Sequence, residues 1–484
     1  MLNLSIIFHL FKIYCAYTLH FIVMDSNIGT HNKNSTEKFI NEQTVVNVND
    51  IISYLHESTL GHILSFLPTM EAVHTSILST KWIHVWKYIT CLSFNDSFLC
   101  HGKMMQREQF VDFVNNVLLH LANSSIHSFS LCLTSYQYDS SQVSSWISSA
   151  LERGVQKLHI QYADKVLLSS HSLFSCSSLV QLVLQMRCTL SVPTFSCLPN
   201  LQNLSISGIE FVSDDSSTYS KDLVLSFPVL KVFEARSCEW STMQNVSIEA
   251  PLLERFSIAI WKSISNESSK SAIKISAPHL IDFCYEGDLE QDIILLNPSS
   301  IRSASFVIVT DEGIKDRMEN FGFQVHMLLK QLHEVERLKL LFYKVLMNSK
   351  DVFTHLPAFE RLTYLQLNEV TGEALLNLLH NSPLLNTLVL LNGVSDLNND
   401  VLAFTSVPQC FLHSLKVFQF KGFNVHEHEL CLAKLVMANA AILERMTITA
   451  AFWLRYSDID MEKVKQQIFS FPKCSIFAEI EFTS

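Results

Sequence analysis

Two rhythms of apolar positions divide this chain. Between Ile52 and Trp86 the rhythm is helical. Leu60, Ile63, Leu64 and Leu67 share one face of a helix predicted over Thr59–Leu67. Pro68 ends it, because proline lacks the amide and disfavours helical geometry in the residue before it. A second helix is expected close behind, with Ala72, Val73, Ser76 and Ile77 on one side. A third segment carries Trp82, Val85 and Trp86 at positions i, i+3 and i+4. Three short helices within about forty residues cannot cover all these faces on one another. The apolar surface left over implies a docking surface.

From Ile126 onward the rhythm becomes apolar-x-x-apolar-x-apolar. It runs Ile126/Phe129/Leu131, Val155/Leu158/Ile160, Leu179/Leu182/Leu184, Leu201/Leu204/Ile206, Leu230/Phe233/Ala235, Leu253/Phe256/Ile258 and Leu280/Phe283/Tyr285. After a less regular stretch it returns at Val335/Leu338/Leu340, Leu362/Leu365/Leu367 and Leu385/Leu388/Leu390. Starts lie roughly 22 to 30 residues apart within each run, the period of leucine-rich repeats. Pro199, Pro228, Pro251, Pro278 and Pro383 each stand two residues ahead of a start. The last two apolar positions of each triplet alternate as in a strand, and one such strand cannot bury its face alone. Stacked strands make a continuous core, with connecting segments returning along the outside. Some connections read as helices, notably Val143, Trp146, Ile147, Ala150 and Leu151, and Phe110, Phe113, Val114, Val117 and Leu121. A further helix is expected around Phe323 to Leu332. Many repeats lack the asparagine of the tidy consensus, so curvature is expected to be uneven.

Near the C-terminus Leu415, Phe418 and Phe420 predict a strand, as do Leu443, Met446 and Ile448. A helix between them places Leu430, Ala433, Met437 and Ala440 on one side. The residues from Met461 to Ser484 are expected to add a helix and a strand.

Composition narrows the function classes. Of 484 residues, 48% are hydrophobic and 17% charged, which suits a large buried interior; the net charge of -11 argues against a binder of phosphate backbones. The twelve cysteines form no C-x-x-C pair and read as small buried hydrophobes in a reducing compartment. Leu2 to Val23 is long and apolar, but Lys12, His9 and His20 interrupt it and no basic region precedes it. We expect residues 1–23 to be an upstream extension, with translation starting at Met24 and membrane anchoring as the lesser alternative. In "HEHE", His426 to Glu429, the histidines stand two apart, whereas zinc ligands on a helix prefer i, i+4. No phosphate-cradling glycine motif and no nucleophile elbow occurs in the sequence.

The stretch "DIISYLHESTLGHILSFLPTMEAVHTSILSTKWIHVW" resembles the F-box of plant F-box proteins. "KGF", "ELCLAKLVMANA" and "LERMTI" resemble the FBD module that ends many F-box/leucine-rich-repeat proteins. The fold class is therefore α/β: a small all-helical F-box, a leucine-rich-repeat solenoid and a small α+β FBD-like module. The expected boundaries are 1–47 for an N-terminal extension (apolar to 23, then disordered) and 48–94 for the F-box. The solenoid is then 95–400, the FBD-like module 408–455 and the tail 456–484. The resemblance implies that the F-box binds a Skp-type adaptor, and through it a cullin, while the repeats bind a protein client for ubiquitination. It implies adaptor contacts at Leu55, His56, Leu60, Ile63, Leu64, Leu67, Val73, Trp82 and Trp86, no catalytic residue, no cofactor, no metal and no nucleic acid. The expected compartment is the nucleus or cytoplasm. In the family's lead-in a proline follows the leucine; here the order is Leu55, His56, Glu57, which would weaken docking. Met70, where the family prefers lysine, would remove one exposed charge. The alternatives are an interaction scaffold whose F-box no longer docks, or a membrane-anchored repeat receptor.

Overall fold

The computed structural model describes residues 55–483, apart from internal stretches of which 214–221, 261–271, 309–317, 343–355 and 398–405 are the longest. The expectations for residues 1–47 lie outside the described residues. The chain forms two compact units, Met1–Ala163 and Asp164–Ser484.

In the first unit, helix α1 (Glu57–Leu64) and helix α2 (Thr69–His74) are followed by three 3-10 turns, Thr75–Ile77, Thr80–Ile83 and Val85–Tyr88. Helix α1 starts two residues before the predicted Thr59 and stops three short of Leu67. The expected third helix is two 3-10 turns instead. Behind this cassette, parallel strands Cys91–Asn95, Ser128–Leu133 and Lys157–Leu167 lie in register, Leu92 beside Phe129 and Phe129 beside Leu158. The first of these strands falls inside the segment that the sequence assigned to the cassette. Helices Arg107–His120 and Ser140–Glu152 connect them. Both bury the predicted faces apart from the half-buried Phe113.

The second unit is dominated by a parallel sheet that advances in chain order from Gln181–Val192 to Glu479–Thr483. Every triplet named above is buried, in the first unit as in the second. The parallel register explains why: each repeat places the same position beside its counterpart, so one apolar column runs through the stack. Phe233, Phe256 and Phe283 align across three strands, with ring centroids 4.9 and 5.9 Å apart and nearly parallel planes. Two triplets escaped the sequence reading, Ile89/Leu92/Phe94 and Ile301/Ala304/Phe306; both are buried and fit the same spacing.

The outer connections differ from expectation. In the middle repeats they are strands. Phe195–Cys197, Asp222–Ser226, Asn245–Glu249, Ala272–Ser276 and Asp292–Leu296 form a second, five-stranded parallel sheet. Their sequences alternate polar and apolar residues, as "DLVLS" and "NVSIE" show, and Leu223, Val246 and Ile273 are buried. At the edge strand Asp292–Leu296, helix Met318–Gln331 supplies side-chain amides where another strand would bond. Gln331 Oε1 accepts from the Leu295 amide at 2.8 Å, and Gln331 Nε2 donates to the Ile293 carbonyl at 3.4 Å. An open edge invites pairing with other chains, and this helix blunts it.

Between two neighbouring repeats, Asn392 Nδ2 donates to Asn368 Oδ1 at 2.7 Å, just after Leu390 and Leu367. Toward the C-terminus, strands Val417–Phe423 and Arg445–Ala450 flank helix Glu427–Asn439 and continue the sheet without a break. The tail contributes helix Met461–Phe469 and strand Glu479–Thr483.

Candidate functional site

The cassette is built around a close approach. Helix α1 packs on Val85–Tyr88 at Gly61, where a Cβ would lie 2.5 Å from Tyr88 Cβ and 2.9 Å from its carbonyl carbon. Glu57 hydrogen-bonds the Tyr88 hydroxyl, and that bond with the carboxylate's charge raises the phenol's pKa. His56 caps α1: its backbone is extended (φ -66°, ψ 148°) and its Nδ1 accepts from the Ser58 amide at 3.3 Å. The residue that departs from the family's proline therefore satisfies one of the orphan amides of the helix start.

The candidate docking residues separate into three groups. Leu60 and Leu64 are 0% exposed. They pack against their own chain as the core of α1. Trp82 is buried as well, whereas Trp86 is half-buried. Leu55, Ile63, Leu67 and Val73 are half-buried and His56 is exposed. The Leu55 carbonyl accepts from Lys81 Nζ at 3.4 Å, which ties the lead-in to the third segment. Met70 is 8% exposed, so it fills the interior rather than standing where a surface charge would be.

The most exposed apolar residues of the cassette were not among the candidates. They are Phe66 (54%), Ile77 (75%), Leu78 and Ile83. Phe66 sits edge-on to His62, their centroids 5.3 Å apart. Turns Thr75–Ile77 and Thr80–Ile83 pack on each other, which brings Ile77 and Ile83 to one region. Ile77 was expected beside Ala72 on a continuous helix. Helix α2 gives way to a 3-10 turn after His74, and its three residues per turn shift the phase so that Ile77 faces out. Phe66, off the face that Leu60, Ile63, Leu64 and Leu67 share, was a sequence signal for this surface; Ile77, on the expected side of its helix, was not.

The cassette is anchored to the first strand behind it by two hydroxyls. Ser65 Oγ accepts from the Thr90 amide at 2.9 Å and donates to the Gly61 carbonyl at 2.9 Å. Thr69 Oγ1, fully buried, accepts from the Ser93 amide at 2.7 Å. At the other end of that strand Asp96, 1% exposed, accepts from the amides of Thr134 and Ser135, each at 2.9 Å. Tyr138 donates to the same carboxylate at 3.3 Å, and burial together with that charge raises the phenol's pKa.

In the second unit, the face of the long sheet opposite its core carries a row of aligned positions: Ser205, Glu234, Ser257, Cys284, Ser305 and Lys339. Beside the strand starts lies an open groove of about 580 Å³ with Glu254, Arg302, Glu334, Glu336 and Arg361 in its lining. Arg361 pairs with Glu336 at 3.3 Å. The lining therefore carries charges of both signs. No sequence pattern pointed to the groove, because its residues come from separate repeats.

"HEHE" is a helix cap. Glu429, 1% exposed, accepts from the amides of Asn424 (2.7 Å) and His426 (3.3 Å), closing a capping box. Among the described residues no three histidine, cysteine or acidic side chains are grouped to hold a metal ion. Among the same residues no helix is long and apolar enough to cross a membrane.

A family model described as FBD matches residues 404–448. An F-box/FBD/LRR-repeat protein of Arabidopsis thaliana is 31% identical over 448 residues, covering 90% of this chain and 95% of the relative. An FBD-associated F-box protein of the same plant is 29% identical over 407 residues, covering 82% and 92%. An F-box/LRR-repeat protein of that plant is 29% identical over 366 residues, covering 70% and 69%.

Proposed function

The chain belongs to the F-box/FBD/LRR-repeat family of plant proteins, and from that premise we propose that it is the substrate-recognition subunit of a Skp-adaptor/cullin ubiquitin ligase. The observation that carries the proposal is the exposed apolar group Phe66, Ile77, Leu78 and Ile83 on a cassette whose own core is already complete. Such a surface is stabilised when a second polypeptide covers it. The repeats offer the client a long face of side chains free of the core. The chain supplies no reacting group in this reading. It raises the local concentration of the client near the transfer site, and another subunit performs the chemistry. Its compartment is then the nucleus or cytoplasm, where that machinery works.

The test is retention of a Skp-type adaptor by the full chain. Ile77→Asp with Ile83→Asp is expected to abolish retention while leaving the melting temperature unchanged. A wild-type chain that fails to retain the adaptor overturns the proposal in favour of an interaction scaffold. The capping role of His56 speaks against that alternative, because the departure from proline leaves the start of α1 satisfied.

A further inference from the structure

Among the described residues, strand Glu479–Thr483 ends the order of the long sheet. It pairs on one side with Arg445–Ala450, and the Glu479 amide donates to the Glu444 carbonyl at 2.9 Å. Successive residues of a strand turn their backbone groups to opposite sides, so Ile480 and Phe482 aim an N–H and a C=O each at the outer edge. Their side chains lie half-buried at the end of the apolar column that contains Met446 and Ile448. Large apolar side chains bracket the edge. Ile476 (86% exposed) and Phe477 (80%) stand three and two residues before the strand, and Phe452 (67%) follows the end of its parallel neighbour. This contrasts with strand Asp292–Leu296, whose edge Gln331 occupies.

We infer that this edge takes up an extended segment of another protein as an added strand, and that the segment alternates basic and apolar residues. Backbone bonds to Ile480 and Phe482 supply the affinity common to such strand addition. Specificity comes from the exposed face. Glu479 and Glu481 project there, and on the inner side Arg445 stands beside Glu479 but Thr447 beside Glu481. Lysine or arginine on the incoming strand pairs with these carboxylates, while its apolar residues extend the column through Ile480 and Phe482. A second copy of this chain is a poor occupant. Antiparallel self-pairing centred on Glu481 sets two carboxylates directly opposite one another, an arrangement that destabilises sheet pairs. The surface belongs to the second unit, and the inference does not rest on the ligase reading.

The experiment uses the full chain and two fluorescent heptapeptides, one alternating lysine with valine and one alternating glutamate with valine, read by anisotropy. The lysine peptide is expected to bind and the glutamate peptide to bind at least tenfold more weakly. Ile480→Pro removes an outward N–H without touching the inner ladder, a position where edge strands tolerate proline. It is expected to abolish binding with the chain still folded by circular dichroism. Glu479→Lys with Glu481→Lys is expected to reverse the preference between the peptides. The inference is overturned if wild type binds neither peptide or both equally, or if folded Ile480→Pro binds like wild type. A dimer in sedimentation that Ile480→Pro dissolves also overturns it, since the edge would then belong to a second copy.

Discussion

Leu64→Ala and Ile77→Asp separate the cassette's core from its docking surface. Leu64 has no exposed surface, so truncation removes buried methyl groups and leaves a cavity. That costs about 2–5 kcal/mol, a large part of the roughly 5–15 kcal/mol that holds a domain together. Ile77 is 75% exposed, so most of the burial energy of an isoleucine is unrealised in the free chain. Of about 1.5–3 kcal/mol for full burial, roughly 1–2 kcal/mol remains for a partner to gain. Aspartate forfeits that gain and adds the cost of an unpaired carboxylate in an apolar contact, so the combined loss exceeds about 2 kcal/mol, or roughly thirtyfold in affinity. Stability should move by less than about 0.5 kcal/mol, as for other surface substitutions. Calorimetric titration with a purified Skp-type adaptor reads the affinity, and urea unfolding reads the stability. Ile77→Asp that binds normally, or Leu64→Ala that loses binding without losing stability, would refute the division drawn here. Charges placed at Ile63 and Leu64 together could not serve, because Leu64 is interior and the variant would fail by unfolding.

Three further outcomes are expected. His56→Pro meets a backbone already at φ -66° and ψ 148°; it exchanges a side-chain cap for a stiffer lead-in, so stability by urea unfolding should change by less than about 1 kcal/mol and adaptor affinity by less than about fivefold. Gln331→Leu strips the partner from the Leu295 amide, costing about 1–3 kcal/mol in urea unfolding, and should raise light scattering at 37 °C as the strand edge opens. Burial raises the Cys410 thiol from 9.0 to about 12. Its contribution to stability is complete below the unfolded value and is lost as pH rises from about 9 to 12; Cys410→Ser, which does not ionise there, should flatten that loss in unfolding titrations at pH 8 and 10.5.

The repeats were legible because one physical event, parallel stacking in register, makes the same demand at every turn. Phe233, Phe256 and Phe283 obey one spacing for one reason, and the same spacing extended backwards finds Ile89, Leu92 and Phe94. That triplet was hidden because it adjoins the helical cassette and was read as part of it. The outer strands were less legible. Asp222–Ser226 and Asn245–Glu249 are five residues each, and so short an alternation gains its meaning from the neighbours it pairs with. In the cassette the pattern identified which residues are apolar but not which of them face water. Leu60 and Leu64 keep a helical phase and go inside; Ile77 loses that phase at a 3-10 turn and goes outside. Tertiary contacts decide that turn, and a pattern of residue types does not record it.

Ser65 and Thr69 give the cassette a second duty that bears on the first. Strand Cys91–Asn95 begins the sheet order, so its outer side would present bare amides to solvent and to other chains. The Ser93 amide is instead taken by Thr69, and the Thr90 amide just before the strand is taken by Ser65. The cassette is therefore also the cap of the first strand, and both hydroxyls sit on short, buried side chains. A threonine hydroxyl has a single rotatable bond to its backbone, and Thr69 is fully buried, so the anchor has little freedom. A partner seated on Phe66, Ile77 and Ile83 would thus be held at a fixed orientation to the strands that follow at once behind the cassette. Proximity accelerates transfer only when orientation is maintained. In the proposed role the exposed apolar surface would supply the affinity, and the two buried hydroxyls would make it usable for positioning.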